Sequence, residues 1–264
     1  MTHRTPFSVV AALALALVLS FLMLPIVAIF TNVPPGELLS SLDDPAARDA
    51  LLLSVQTTAI AMTLILVVGT PAAWLLATRR FRGRSLMTTL IELPLVVPPA
   101  VAGIGLLAAL GPRGLLGGAL DDAGIRLVLE TAGVVIALTF VASPFYLRQA
   151  QAGFAAVDAR LLEASRTLGA GEFATFLRVG LPAARGALGT GAALAAARAL
   201  GEFGATLLFA GSLRGVTQTA PLAIYERFGT DFTGALALSA VLIAMSALIL
   251  FGMRLATGLG DAPR

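Results

Sequence analysis

Six stretches of the chain each run more than twenty residues with at most two charged side chains: Phe7 to Phe30, Ala50 to Ala77, Leu86 to Leu110, Leu127 to Leu147, Ala187 to Gly211 and Thr233 to Leu255. A helix needs about 20 mostly apolar residues to cross a bilayer. Six such windows in 264 residues leave too little polar chain to wrap one water-soluble core. With 58% apolar and 12% charged residues, the expected solvent is lipid. The expected fold is therefore all-α, an integral membrane protein of six transmembrane helices. An even number of crossings puts both termini on one side.

The charges orient it. All eighteen cationic side chains are arginine, and cytosolic loops are enriched in such residues. Placing the N-terminus inside gives twelve inside arginines: Arg4, Arg79, Arg80, Arg82, Arg84, Arg148, Arg160, Arg166, Arg178, Arg185, Arg254 and Arg264. Twelve arginines less four acids leave the inside at +8. Arg48, Arg113, Arg126, Arg214 and Arg227 fall outside with nine acids, leaving −4. The termini are thus expected in the cytoplasm. The basic character reports orientation and calls for no nucleic-acid partner.

The first window outruns the roughly 7 to 15 apolar residues of an export signal and passes Pro25 into Thr31-Asn32 without a small-residue cleavage site, so it reads as a span. Absence of cysteine excludes disulfide and thiolate chemistry. His3, the lone histidine, stands in the N-terminal tail with no partner for metal or acid–base work. The loop from Thr31 to Asp49, with Pro34-Pro35-Gly36, reads as a solvated outer connection, and Gly111 to Arg126 as a glycine-rich loop with a short interfacial turn. No internal repeat is visible. The whole chain, 1–264, is expected to be one membrane domain.

Two spans carry irregular chemistry. The third reads Glu92-Leu-Pro94-Leu-Val-Val-Pro98-Pro99-Ala-Val-Ala-Gly103-Ile-Gly105, and each proline removes a backbone donor and crowds the preceding turn. Irregular backbone survives at membrane depth only beside protein or a wet cavity. Pro94, Pro98, Pro99 and Gly103 are therefore candidates for a translocation path. Glu92, near the cytosolic end, is expected to reach water or the Arg79 to Arg84 cluster. The fifth span is crowded with alanine and glycine, a composition that lets helices approach closely. Within it, Arg198 and Glu202 share a helical face as an expected ion pair, and with Phe203 and Thr206 complete the path candidates.

The segment between the fourth and fifth spans is the least expected part of a membrane protein. Phe154, Val157, Leu161, Ala164 and Leu168 recur at three- and four-residue spacing, predicting one amphipathic helix carrying Asp158, Arg160, Glu163 and Arg166. Gly169 can close that helix in the left-handed conformation. Phe173, Phe176, Leu177 and Val179 then begin a second short apolar face ending at Leu181-Pro182. Two short helices around a glycine suit a partner's groove better than a flat lipid surface.

Glu163-Ala164-Ser165, Gly169 and Leu181-Pro182 resemble the EAA loop of ABC importer permeases, with Ser165 where the pattern prefers alanine. The resemblance covers about residues 50–255 and implies the type I permease fold. It also implies that residues 154–182 are a cytoplasmic coupling loop seated in a separate ATPase, with Glu163 and Gly169 setting its pose. Ala199-Leu-Gly-Glu202-Phe-Gly-Ala-Thr-Leu-Leu-Phe-Ala-Gly211 and Thr217-Gln-Thr-Ala-Pro-Leu-Ala-Ile-Tyr225 look like the molybdate and tungstate permeases of that family. Sulfate and thiosulfate permeases are similar through Gly-Glu-Phe-Gly but usually diverge at Ala205-Thr-Leu-Leu and Thr217-Gln-Thr, and stand as the alternative. A stand-alone secondary anion carrier is the competing class, but it has no use for the cytosolic two-helix unit.

The implied assembly is a homodimer in the bacterial plasma membrane, with two ATP-binding cassette subunits below and an external molybdate-binding protein above. The chain itself has no lysine for a phosphate-cradling loop, so ATP is used by the partner. No cofactor, metal site or catalytic residue is expected in it.

Overall fold

A computed structural model describes residues 6–256. His3, Arg4 and Arg264 lie outside the described residues, as does the side chain of Arg254. Every regular element among the described residues is a helix: α1 (Pro6–Asn32), α2 (Pro35–Asp43), α3 (Pro45–Thr78), α4 (Arg84–Val96), α5 (Pro99–Leu110), α6 (Gly117–Asp122), α7 (Thr131–Ala155), α8 (Ala159–Thr167), α9 (Glu172–Thr175), α10 (Leu181–Leu200), α11 (Gly204–Ala210), α12 (Ala220–Phe228) and α13 (Phe232–Ala256). A widened π-turn, Phe176–Gly180, joins α9 to α10.

α1, α3, α7 and α13 are long and apolar enough to cross a membrane. The third and fifth windows are not single helices. α4 and α5 meet at 116°, and the run from Glu172 to Leu200 meets α11 at 58°, so the described residues give four crossings, or up to six if each bent pair is one. The proline pair sets the first break. A residue before proline is driven out of the helical region, and Val97 (ψ 124°) and Pro98 (ψ 139°) are both extended. Pro99 then restarts the helix at a position where its missing N–H costs nothing.

Other boundaries also differ from the hydropathy windows. The fourth span begins at Thr131, not Leu127, and runs on to Ala155. The segment from Thr31 to Asp49, expected as a solvated loop, is largely helical, because Pro35 and Pro45 each open a helix and Asp44 caps α3 by accepting from the Ala46 N–H at 3.0 Å. The short turn expected in the glycine-rich loop is α6.

α3, α7 and α10 form the core, with α7 in the middle. Ala61, Ile65, Ala73 and Trp74 of α3 meet Val134, Leu138, Tyr146 and Phe154 of α7, and alanines of α10 close the other side. Small residues permit this: a Cβ at Gly153 would stand 2.4 Å from that of Ala187. One polar contact, Thr70 Oγ1 to the Tyr146 hydroxyl at 2.6 Å, ties α3 to α7. By contrast α1 is apolar and exposed along its spanning window and rests on α13, the surface expected of a helix in lipid.

The end of the core where α3 and α7 finish is aromatic. Trp74 meets Phe154 edge-on (centroids 5.2 Å, 83°) and Phe176 at 5.4 Å, while Gly180 lies so close that a Cβ there would be 2.5 Å from the indole. Gly180→Val is expected to lower stability by about 1–3 kcal/mol through overpacking. Trp74 is the chain's single tryptophan. Its emission should shift to the red in that variant as the ring is displaced, and unchanged emission would show that the turn absorbs the extra methyls.

Candidate functional site

The two-helix element between α7 and α10 is built around Gly169. α7 ends at Ala155, and Asp158 starts α8 by accepting from the Arg160 N–H at 2.9 Å. The predicted continuous stripe is therefore split. Phe154 belongs to the span and is buried, Val157 lies in the turn, and α8 is anchored by Leu162, which the sequence reading passed over. Leu161 and Leu168 instead face outward, at 53% and 87% exposed.

Gly169 has φ +83°, the left-handed conformation. Its N–H donates to Arg166 C=O at 3.0 Å and that of Ala170 to Ser165 C=O at 3.1 Å, the paired bonds of a Schellman closure. Ser165 is more than a stand-in for alanine: its Oγ lies 3.0 Å from Oγ1 of the buried Thr175, pinning α8 to α9. Glu163 and Ala164 are exposed on the outer side, as are Phe173 and Leu177. A surface of Glu163 flanked by Arg160 and Arg166, together with exposed apolar side chains, remains uncovered.

Leu181-Pro182 does not end a second short helix. Leu181 N–H reaches back to Phe176 C=O in the widened turn, and the chain stays helical from Glu172 to Leu200. Pro182 explains the widening, since its ring would crowd the carbonyl four residues earlier and it has no N–H to return. α9, the widened turn and α10 are thus one rod, about 43 Å long at 1.5 Å per residue.

Arg79, at the end of α3, holds the start of this rod. Its Nη2 donates to Glu172 Oε1 and Oε2 at 2.5 and 2.6 Å, and Nε to Oε1 at 3.1 Å. These donors hold the Glu172 carboxyl below its ordinary value of 4.5, with the nearby charges of Arg79 and Arg166 acting in the same direction against partial desolvation. A carboxyl depressed on folding stabilises above its unfolded value and ceases to do so as pH falls through the folded one. Hydrogen exchange of residues 170–176 should accordingly stay flat from neutral pH to about 5, after correction for intrinsic rates, and rise only below the ordinary carboxylate range. An increase already near pH 6 would exclude Glu172 as the group responsible. Glu92, expected near this arginine cluster, instead pairs with Arg148 at 3.7 Å.

The second region lies at the two breaks. α10 stops at Leu200, and Glu202, 1% exposed, turns back to cap α11: Oε1 accepts from Ala205 N–H at 2.7 Å, and Oε2 lies 2.5 Å from Arg198 Nη2. The expected Arg198–Glu202 pair is present. That second contact is an ion pair by distance without the alignment of a hydrogen bond. α11 packs along α5 in parallel: Gly204 abuts Pro99 and Ala100, and a Cβ on Gly103 would be 2.8 Å from Ala205 C=O. The path candidates Pro98, Pro99, Gly103, Glu202, Phe203 and Thr206 thus gather at one seam between broken spans. Within it Gly103 and Thr206 are buried, Pro98 and Pro99 exposed, and Phe203 half-buried against Tyr225 at 5.0 Å. Pro94 lies on α4, before the turn.

Thr217-Gln218-Thr219, singled out by resemblance, is buried. Thr217 Oγ1 accepts from Leu213 N–H at 2.8 Å, Ser54 Oγ accepts from Ala220 N–H at 2.7 Å, and Gln218 donates to Glu226. Arg227 reaches Asp44. This end of the molecule is held by these contacts, of which Ser54 to Ala220 and Arg227 to Asp44 join segments far apart in sequence.

Residues 65–261 match the family model described as the binding-protein-dependent transport system inner membrane component. The chain belongs to that family. Its function is that of an inner-membrane transport subunit, and it is not an enzyme. Among relatives, the molybdenum transport system permease protein ModB of Mycobacterium tuberculosis is 41% identical over 244 residues, 92% of each chain. The probable transport system permease protein NifC of Clostridium pasteurianum is 36% identical over 94% of this chain and 88% of its own. The sulfate transport system permease protein CysW of Escherichia coli K12 is 37% identical over 87% and 80%. The fold matches a chain of a bacterial ABC transporter that imports the acidic polysaccharide alginate, with TM-score 0.73, 94% of both chains covered and 15% identity. A chain of the MetNI methionine ABC transporter in an inward-facing conformation gives 0.63 and 18%, over 81% of this chain and 95% of that one.

Proposed function

We propose that this chain is the permease of an ABC importer for molybdate or tungstate. The observation that carries the substrate is its 41% identity across nearly the whole length of permeases named for molybdenum transport. Sulfate permeases are less similar, 37% identical over 87% of the chain and 31% over 91%, which is why sulfate stands second. In this reading each bent pair is a single crossing, giving six spans with both termini in the cytoplasm. Two copies enclose the oxyanion path, lined from the Pro94 to Pro99 break and the Arg198–Glu202 corner.

The rod from Glu172 to Leu200 supplies the mechanics. Two ATPase subunits would bind the uncovered surface of Glu163, Leu168 and Phe173, with Ala164, Ser165 and Gly169 setting its shape and Leu181-Pro182 its junction with the rod. Closure of the ATPases on ATP moves α8 and α9. Because no break intervenes until Gly201, that motion reaches the seam of α11 and α5 as a tilt. Rocking of this kind would expose the path alternately to a molybdate-binding protein outside and to the cytosol. A ligand drives such a change only through its different affinity for the two states.

Co-purification of the chain with its ATPase in detergent tests the partnership. The expected result is a stable complex whose ATP hydrolysis rises on adding molybdate-loaded binding protein and stays basal with the sulfate-loaded form. Stimulation by sulfate alone would transfer the substrate to that anion, and no association with an ATPase would revive the secondary carrier.

A further inference from the structure

Apart from the coupling element, the cytosolic side carries a second feature, a basic cavity at the start of α4. Arg80, Phe81, Arg84, Ser85, Thr88, Thr89 and Gln151 line an open space of about 550 Å³. Arg79 is neutralised by Glu172, but among the described residues no carboxylate pairs with Arg80, Arg82 or Arg84. No acid lines the cavity either. The hydroxyls of Thr88 and Thr89 are already donated to Arg84 and Ser85 carbonyls at 3.1 Å. What remains open is a set of donors: two guanidinium groups, the Ser85 hydroxyl and the Gln151 amide.

The level of this cavity is set by its neighbours. Leu86, Met87 and Leu90, in the next turns of α4, are 63%, 50% and 56% exposed, so the donors sit where an apolar helix surface meets water. Arginines at such a boundary attract anionic groups, and guanidinium forks match tetrahedral oxyanions in two-point contact.

We propose that this cavity is an oxyanion site at the membrane's cytosolic surface, occupied either by the phosphate of an anionic lipid or by a free tetrahedral oxyanion in the cytosol. Its cytosolic placing rests on the inside-basic topology proposed above; the site itself does not depend on the transported substrate.

The test uses the full chain in nanodiscs. Retention of phosphatidylglycerol over phosphatidylcholine is read by native mass spectrometry, and binding of labelled molybdate and of phosphate is read by equilibrium dialysis in phosphatidylcholine discs. At about fivefold per arginine, Arg80→Gln with Arg84→Gln should weaken the occupant about twenty-five-fold. Arg82→Gln, just outside the lining, should change it less than about twofold. Selective loss of phosphatidylglycerol identifies the lipid source, and selective loss of dialysed oxyanion the free one. Should the double variant fail to insert, judged by Trp74 emission, Ser85→Ala with Gln151→Ala tests the cavity's other two donors without altering charge, and should weaken the same occupant. Equal loss in Arg82→Gln would reduce the effect to diffuse attraction and overturn the site. So would binding of neither ligand, or variants that keep both ligands and lose the ATPase instead.

Discussion

Replacing Gly169 with valine should cut ATP-driven uptake on the order of tenfold while the permease still inserts and its ATPase still hydrolyses ATP. The cause is backbone conformation, because a Cβ at Gly169 meets nothing within 4 Å. At φ +83° an L-residue pays about 1–2 kcal/mol, and a β-branched one more. Relieving that strain breaks the Gly169 to Arg166 and Ala170 to Ser165 bonds and re-aims α9 relative to α8. A shift of 1–2 kcal/mol is about five- to thirtyfold in the population of the docking geometry. Gly169→Asn, which tolerates the left-handed region, should retain most transport. Comparing the two variants by uptake and phosphate release in one proteoliposome preparation separates conformation from bulk. Normal uptake by the valine variant would mean that this glycine does not set the pose of the coupling element.

Arg198→Leu should destabilise the fold by about 3–5 kcal/mol, the range for breaking a buried ion pair. It leaves Glu202 as an uncompensated carboxylate at 1% exposure. Adding Glu202→Gln should recover most of the loss, since glutamine removes the charge yet keeps an oxygen to accept from Ala205 N–H. Adding Glu202→Leu should recover less, because α11 then loses its cap. Thermal unfolding in detergent ranks the three. Equal stability of the two double variants would show that the cap contributes nothing, and a stable Arg198→Leu would show that the pair is dispensable for folding.

Features governed by neighbours in sequence are legible in the sequence itself. Gly169 announced a helix end because few residues tolerate its conformation, and Arg198 and Glu202 announced a pair because four residues make one helical turn. The Pro98-Pro99 pair announced a break, although not a 116° turn, since proline dictates where a helix ends and packing dictates where the next one points. Pairings between distant segments left no local trace. Arg79 meets Glu172 across 93 residues, Arg227 meets Asp44 across 183, and Trp74 joins Phe154 and Phe176 from three elements. Glu92 had several arginines within conceivable reach, and only the arrangement of α4 on α7 selects Arg148. The stripe through Phe154 and Val157 misled because Asp158, a strong capping residue, interrupts a spacing that would otherwise suit one long helix. Pro182 misled in the other direction, because the chain accommodates it by widening one turn rather than by ending the helix.

The most direct measurement is uptake of labelled molybdate into proteoliposomes holding this chain with its ATPase and binding protein, with and without ATP, against excess sulfate. Uptake that requires ATP and withstands sulfate is the expected result. Uptake abolished by sulfate, or proceeding without ATP, would contradict the molybdate importer.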